Sequence, residues 1–327
     1  MPNGPLELRF IFPASRFETE NFVVGVQKFA DLGFAIPTIP KVPDPHRFYC
    51  ANRSNRFASL QEAMETPGSA ILVAARGGYG CAELLSLCEA GQWDWRAKTI
   101  LGFSDLTALH AFLSNNNIPS FHGPMAASVD WLKASDEETQ CLCKALAGNA
   151  PALTLTGTLW SQQDLTSQHN LMGMHGSTDR QDSAEGSLKV SQTVRDQNIA
   201  HQGRLVGGNL TVLASLMGTP WQLQLRQGDI LFLEDIGEPE YRLARCLFQL
   251  SHSPHFSSCH IIWGHLTNCG PLAIENPQQL ISQLMEHLSN SWSYGLKAGH
   301  ERPNMTLPLG TMALLRNNQL SFESKSC

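Results

Sequence analysis

Three residues in this chain, Ser104, Glu234 and His300, have the types needed for nucleophilic catalysis. A serine hydroxyl attacks a carbonyl only if a base removes its proton. The base in turn needs an acid to hold its tautomer and stabilise the imidazolium. The order serine, acid, histidine is one of several in which that arrangement arises. Each residue also has a plainer reading. Ser104 would serve as a helix cap, Glu234 as a solvated strand-end acid and His300 as a surface imidazole. The turn Gly102-Phe-Ser-Asp-Leu106 lacks the second glycine of the α/β-hydrolase elbow, which argues against that fold.

A second stretch with chemical potential is Arg76-Gly-Gly-Tyr-Gly80, directly after the apolar run Ser69–Ala75. Glycines at a strand's carboxyl end permit close backbone approach to a ligand and leave amides pointing outward. The spacing is not that of a dinucleotide-binding loop, and no Gly-Lys-Ser/Thr follows as a phosphate loop would require. His122 and His265 each follow a short apolar segment and are alternative bases by position. His252, His255, Cys259 and His260 cluster in sequence, but their spacing matches no zinc pattern, so no metal is expected.

The elements that must position these groups follow from apolar periodicity. Leu8–Phe12, Ser69–Ala75, the Ile100–Phe103 stretch, Ile118–Phe121, Asp229–Asp235 and His260–Trp263 read as strands. Helical spacing appears over Glu18–Leu32 (Phe22, Val23, Val26 and Phe29 on one side), Phe57–Glu65, Cys81–Cys88, from Leu106 onward, from Pro239 and over Glu275–Leu288. Phe34–Ile39 is a further strand candidate, placed at an edge by Pro37, and Met312–Leu315 and Leu320–Phe322 close the chain as strands. Strands alternating with helices predict an α/β fold with a parallel sheet covered on both faces. Ligands of such sheets bind beyond the strand carboxyl ends, where the Gly77–Gly78 loop and Ser104 would share a rim.

With 327 residues, two domains are expected. The span 151–203 is rich in Ser, Gln, Thr, Asp and Gly, and 161–202 holds few large apolar residues, so it reads as a linker carrying a polar insertion. That leaves an N-terminal α/β domain over 1–150 and a C-terminal α/β domain over 204–327. A formal charge of -6 leaves no basic stripe for nucleic acid. No apolar run approaches the length of a membrane span, and the first residues read as the entry to a strand and not as a signal peptide. Nine scattered cysteines, with no CxxC, point to reduced thiols in a cytoplasmic protein.

The motifs Arg76-Gly-Gly-Tyr-Gly80, Gly102-Phe-Ser-Asp-Leu-Thr107, His122-Gly-Pro-Met125, Gly207-Gly-Asn-Leu210, Leu233-Glu-Asp-Ile236, Tyr241-Arg242, Gly299-His300 and Thr306-Leu-Pro-Leu-Gly310 occur in this order. Together they resemble the LD-carboxypeptidase (muramoyltetrapeptide carboxypeptidase) family of serine peptidases over nearly the whole chain, the insertion apart. The resemblance implies a cytoplasmic, usually dimeric enzyme of peptidoglycan recycling that releases the terminal D-alanine from murein tetrapeptides without a cofactor. It implies an active site in the groove between the two domains, with Ser104 as nucleophile, Glu234 as acid and His300 as base. The amides of Gly78 and Asp105 would be the oxyanion donors, and Arg76 with Gly77 would meet the substrate. A related branch cleaves an acylated nucleotide antibiotic. A non-catalytic binder of cell-wall fragments is the remaining alternative.

Overall fold

The computed structural model describes residues 5–91, 93–159, 200–270 and 277–323. In the first sheet, β1 (Leu8–Ile11), β2 (Ala70–Ala74), β3 (Lys98–Gly102) and β4 (Ser120–His122) run parallel. Helices α1 (Thr19–Asp31), α2 (Arg53–Glu65), α3 (Leu85–Ala90) and α4 (Thr107–Asn115) lie between these strands in sequence. Two more helices, α5 (Val129–Leu132) and α6 (Asp136–Leu146), follow. The alternation of β2 shows why its run is apolar throughout. Ile71 and Val73 pack with Phe22, Phe29 and Trp131 on one face, and Leu72 and Ala74 pack with Leu60 and Leu84 on the other. A strand buried on both faces has no place for a polar residue.

Among the described residues the second sheet has eight strands, in the order β5-β13-β12-β7-β8-β9-β10-β6. Its parallel centre is β7 (Ala200–Asn209), β8 (Ile230–Ile236), β9 (His260–Thr267) and β10 (Trp292–Tyr294). The flanks are β5 (Leu153–Thr154), β6 (Gly157–Leu159), β12 (Met312–Arg316) and β13 (Gln319–Phe322), all antiparallel to their neighbours. Helices α7 (Leu210–Ser215), α8 (Glu240–Ser251) and α9 (Pro277–Met285) accompany it. Leu231 and Leu233 of β8 belong to the same apolar cluster as Leu72 and Ile100, so one core continues from the first sheet to the second.

Several elements depart from the sequence expectations. Phe34–Ile39 forms no strand; Ala35 makes only an isolated bridge to Glu7, because Pro37 denies the segment a continuous ladder. Helix α2 begins at Arg53 and not Phe57, since the Asn52 side chain caps it by accepting the Asn55 N–H at 2.8 Å. Val23, expected on the buried side of α1, is 56% exposed. The first turn of Cys81–Cys88 is a 3₁₀ turn over Ala82–Leu84. Within 151–203, β5 and β6 pair at opposite edges of the second sheet, and β7 begins at Ala200; residues 160–199, most of the expected insertion, lie outside the described residues. From the other end of the chain, β11 (Leu307–Leu309) crosses back and pairs antiparallel with β4, as the fifth strand of the first sheet among the described residues. Of the expected helix Glu275–Leu288, Pro277–Met285 is helical, and Glu275 and Asn276 lie outside the described residues.

Candidate active site

The chain leaves β3 at Gly102 and turns at Ser104, whose φ is +64°. A left-handed conformation is uncommon for a residue with a side chain and strains the backbone. The strain lifts the Ser104 side chain off the sheet at the head of a 3₁₀ turn (Ser104–Leu106) that runs into α4. Behind the turn, the buried His110 ring holds the end of β3, with Nε2 2.9 Å from the Gly102 carbonyl and Nδ1 2.8 Å from Ser120 Oγ. Burial pulls His110 down to about 4, so the ring stays neutral.

The second sheet supplies the partners. At the end of β8, where the register against β9 shifts between Leu233 and Asp235, neighbouring carboxylates go to different tasks. Asp235 is consumed by α7: Oδ2 accepts Thr211 N–H at 2.9 Å and Thr211 Oγ1 at 2.7 Å, and Oδ1 accepts Asn209 Nδ2 at 3.0 Å. Glu234, fully buried, turns to the first sheet, where its Oε2 lies 2.6 Å from His300 Nδ1. His300 Nε2 lies 2.9 Å from Ser104 Oγ. With Nδ1–H donated to the carboxylate, Nε2 is left to accept the serine hydroxyl, which fixes the tautomer. Burial disfavours the charged imidazole, but Glu234, helped by Asp235 and Asp130, outweighs it and holds His300 above its ordinary value.

Gly299 makes this approach possible. Its φ is +128°, and a Cβ there would lie 2.9 Å from Glu234 Oε2 and 3.1 Å from Glu234 Cβ. Its N–H is held by Asn304 Oδ1 at 3.0 Å, and the loop is anchored in turn where Glu138 accepts Asn304 N–H at 2.9 Å.

The glycine loop lies against the serine. A Cβ on Gly77 would sit 2.9 Å from Ser104 Cβ, so the loop packs there only because residue 77 has no side chain. Gly78, exposed with φ +103°, follows. Among the described residues no hydrogen-bond acceptor meets the N–H of Gly78 or of Asp105. Arg76 is exposed, with one nitrogen 2.9 Å from the Arg16 carbonyl.

The other candidate bases are placed elsewhere. His122 is fully buried, its ring 5.5 Å from Phe103 and 5.1 Å from Phe232, and burial pushes it well below the usual imidazole range. His265 Nε2 is 3.0 Å from the Pro303 carbonyl, and neither histidine bonds Ser104. His260 is buried between Ser291 and Ser293, whereas His252 lies over the last turn of α8 with Nδ1 2.8 Å from the Phe248 carbonyl. Among the described residues no three His, Cys, Asp or Glu side chains are grouped to hold a metal ion.

Two contributors escaped the sequence reading. Phe103, taken only as strand core, sets its ring edge-on to His300 at 4.9 Å. Arg56, 1% exposed, sits beneath the glycine loop and donates to the carbonyls of Pro13 and Gly80 at 2.8 Å each. Its signal was present: Arg56, Leu60, Ala63 and Met64 share one helical stripe, so a cation stood where an apolar residue belonged.

Comparison with known proteins agrees with this architecture. Residues 8–123 match the model of the LD-carboxypeptidase N-terminal domain, and residues 202–315 match that of the LD-carboxypeptidase C-terminal domain. The chain is 28% identical over 322 residues to the murein tetrapeptide carboxypeptidase of Pseudomonas aeruginosa, covering 95% of this chain and 94% of that protein. It is 25% identical to the microcin C7 self-immunity protein MccF of Escherichia coli, covering 91% and 86% of the two chains. Among solved structures, the muramoyltetrapeptide carboxypeptidase of Oxalobacter formigenes superposes with a TM-score of 0.70 at 25% identity, over 96% of this chain and 97% of that one. Matching both domains of one family in order, on a fold of two α/β sheets, this chain belongs to the LD-carboxypeptidase family.

Proposed function

We propose that this protein is a serine-type LD-carboxypeptidase that releases the terminal D-alanine of murein tetrapeptides in peptidoglycan recycling. The observation that carries the reading is the unbroken hydrogen-bond chain from Ser104 Oγ through His300 to Glu234, which joins one sheet to the other. His300 Nε2 takes the Ser104 proton as Oγ attacks the scissile carbonyl, and Glu234 stabilises the imidazolium that results. The amides of Gly78 and Asp105 bind the oxyanion; loss of one such donor typically costs on the order of 10²–10³ in turnover. His300 then passes its proton to the departing D-alanine amine, and water, activated by the same ring, hydrolyses the acyl-enzyme. Arg76, exposed beside the loop and without a carboxylate partner among the described residues, is the cation for the substrate's terminal carboxylate.

The test is mass spectrometry of a murein tetrapeptide incubated with the wild type and with Ser104→Ala. Release of D-alanine by the wild type alone supports the reading; a silent wild type or an equally active variant overturns it. A second reading, cleavage of an acylated nucleotide, rests on the similarity to the microcin C7 self-immunity protein. An aminoacyl sulfamoyl nucleoside in the same assay separates the two. No described helix is long and apolar enough to cross a membrane. A cytoplasmic homodimer is the state we assign with this function, and light scattering tests the dimer.

A further inference from the structure

We propose that the Asp105 carboxylate is a positioning residue that ties the Gly77–Gly80 loop to the Ser104 turn and so sets the separation of the two oxyanion amides. This rests on the peptidase reading above. Asp105 is 4% exposed, and its Oδ2 accepts the Cys81 N–H at 2.8 Å. The residue that offers one amide therefore grips, with its side chain, the loop that offers the other.

The remaining anchors of the loop point away from the serine. Ser15 N–H donates to the Gly77 carbonyl at 3.1 Å, and Ser15 Oγ accepts Tyr79 N–H at 3.0 Å. Arg56 Nη1 donates to the Gly80 carbonyl at 2.8 Å, while its Nη2 pairs with Glu83 and its guanidinium lies over the Tyr49 ring at 4.4 Å. These contacts fix the loop to β1's extension and to α2. Of the side-chain anchors on the loop among the described residues, the Asp105 bond is the one that comes from the Ser104 turn itself. Contact alone does not set the distance between loop and turn, because Gly77 offers only backbone to Ser104 Cβ. An oxyanion site works when its donors are held in place before charge develops, and a small misplacement is costly. Burial raises the Asp105 carboxyl, and the Cys81 N–H, the Cys81 thiol and the Arg56 charge work against that rise.

The experiment compares Asp105→Ala and Asp105→Asn with the wild type on the tetrapeptide, at a temperature where all three are folded. Asp105→Ala is expected to lower kcat about a hundredfold, as loss of an oxyanion donor does, with KM within threefold. Asp105→Asn keeps an acceptor for Cys81 N–H and is expected to recover kcat to within about fivefold of the wild type. Hydrogen exchange of the Cys81 amide is expected to quicken in Asp105→Ala and not in Asp105→Asn. A kcat for Asp105→Ala within threefold of the wild type overturns the proposal, as does a loss confined to KM or an Asn variant no better than Ala. An unchanged Cys81 exchange rate overturns the tether independently of turnover. A wild type that releases no D-alanine overturns the peptidase reading itself.

Discussion

The carboxyl ends of β3 and β8 face the same site but deliver their side chains in opposite ways. At β3 the backbone itself is strained, with Ser104 in the left-handed region, and one side chain is aimed by that strain. At β8 the strand continues through Glu234 and Asp235 while its register against β9 shifts between Leu233 and Asp235, and two adjacent acids are divided between pairing with His300 and capping α7. A position at a strand end thus brings a residue to the rim. What its neighbours already hydrogen-bond decides whether it is free for chemistry.

The sharpest way to break this comparison is to exchange the two acids' fates. Glu234→Gln removes the charge that stabilises the imidazolium and presents an amide that favours the wrong tautomer. By analogy with other catalytic triads, kcat is expected to fall on the order of 10⁴-fold, with Tm little changed, by steady-state kinetics and thermal melts. The pH profile comes next. His300 must be neutral to accept the serine proton, and its pKa lies above the ordinary imidazole value, about 6.5. Activity should therefore be lost on the acid side with a midpoint above 6.5, leaving kcat/KM at least about tenfold below its plateau one pH unit under that value. A midpoint below 6.5 would show that Glu234 does not raise the ring.

Asp235→Asn should do the reverse of Glu234→Gln. An amide there cannot accept from Asn209 and from both donors of Thr211 together, so stability should drop by about 1–3 kcal/mol in denaturant melts, with kcat within a few-fold. The smallest change in stability is expected at the strained turn. Ser104→Gly relieves the left-handed residue and should raise stability by roughly 1 kcal/mol while abolishing D-alanine release, whereas Ser104→Ala abolishes it with no such gain. Equal stabilities for the Gly and Ala variants would remove strain from the account of β3.

Much of this was legible in the chain. The runs Ser69–Ala75 and Asp229–Asp235 read as buried strands because both faces of each sheet are covered, and covered strands admit few polar residues. Ser104 and His300 carried no local signal of being partners, since 196 positions separate them and only the packing of the two sheets brings them together. Nor was β11 readable as a strand of the first sheet. Its three residues, Leu307–Leu309, are apolar in any register, and their pairing with β4 depends on the chain crossing back. The choice between Glu234 and Asp235 was made by motif; the hydrogen bonds of Asn209 and Thr211 supply its physical reason.

The central claim is that the serine of the first sheet is activated by the loop histidine of the second and not by a histidine closer to hand. D-alanine release from a murein tetrapeptide by His300→Ala and by His265→Ala tests it directly. The account predicts a loss on the order of 10⁴-fold or more for His300→Ala and activity within tenfold of the wild type for His265→Ala. An active His300→Ala beside an inert His265→Ala would contradict it.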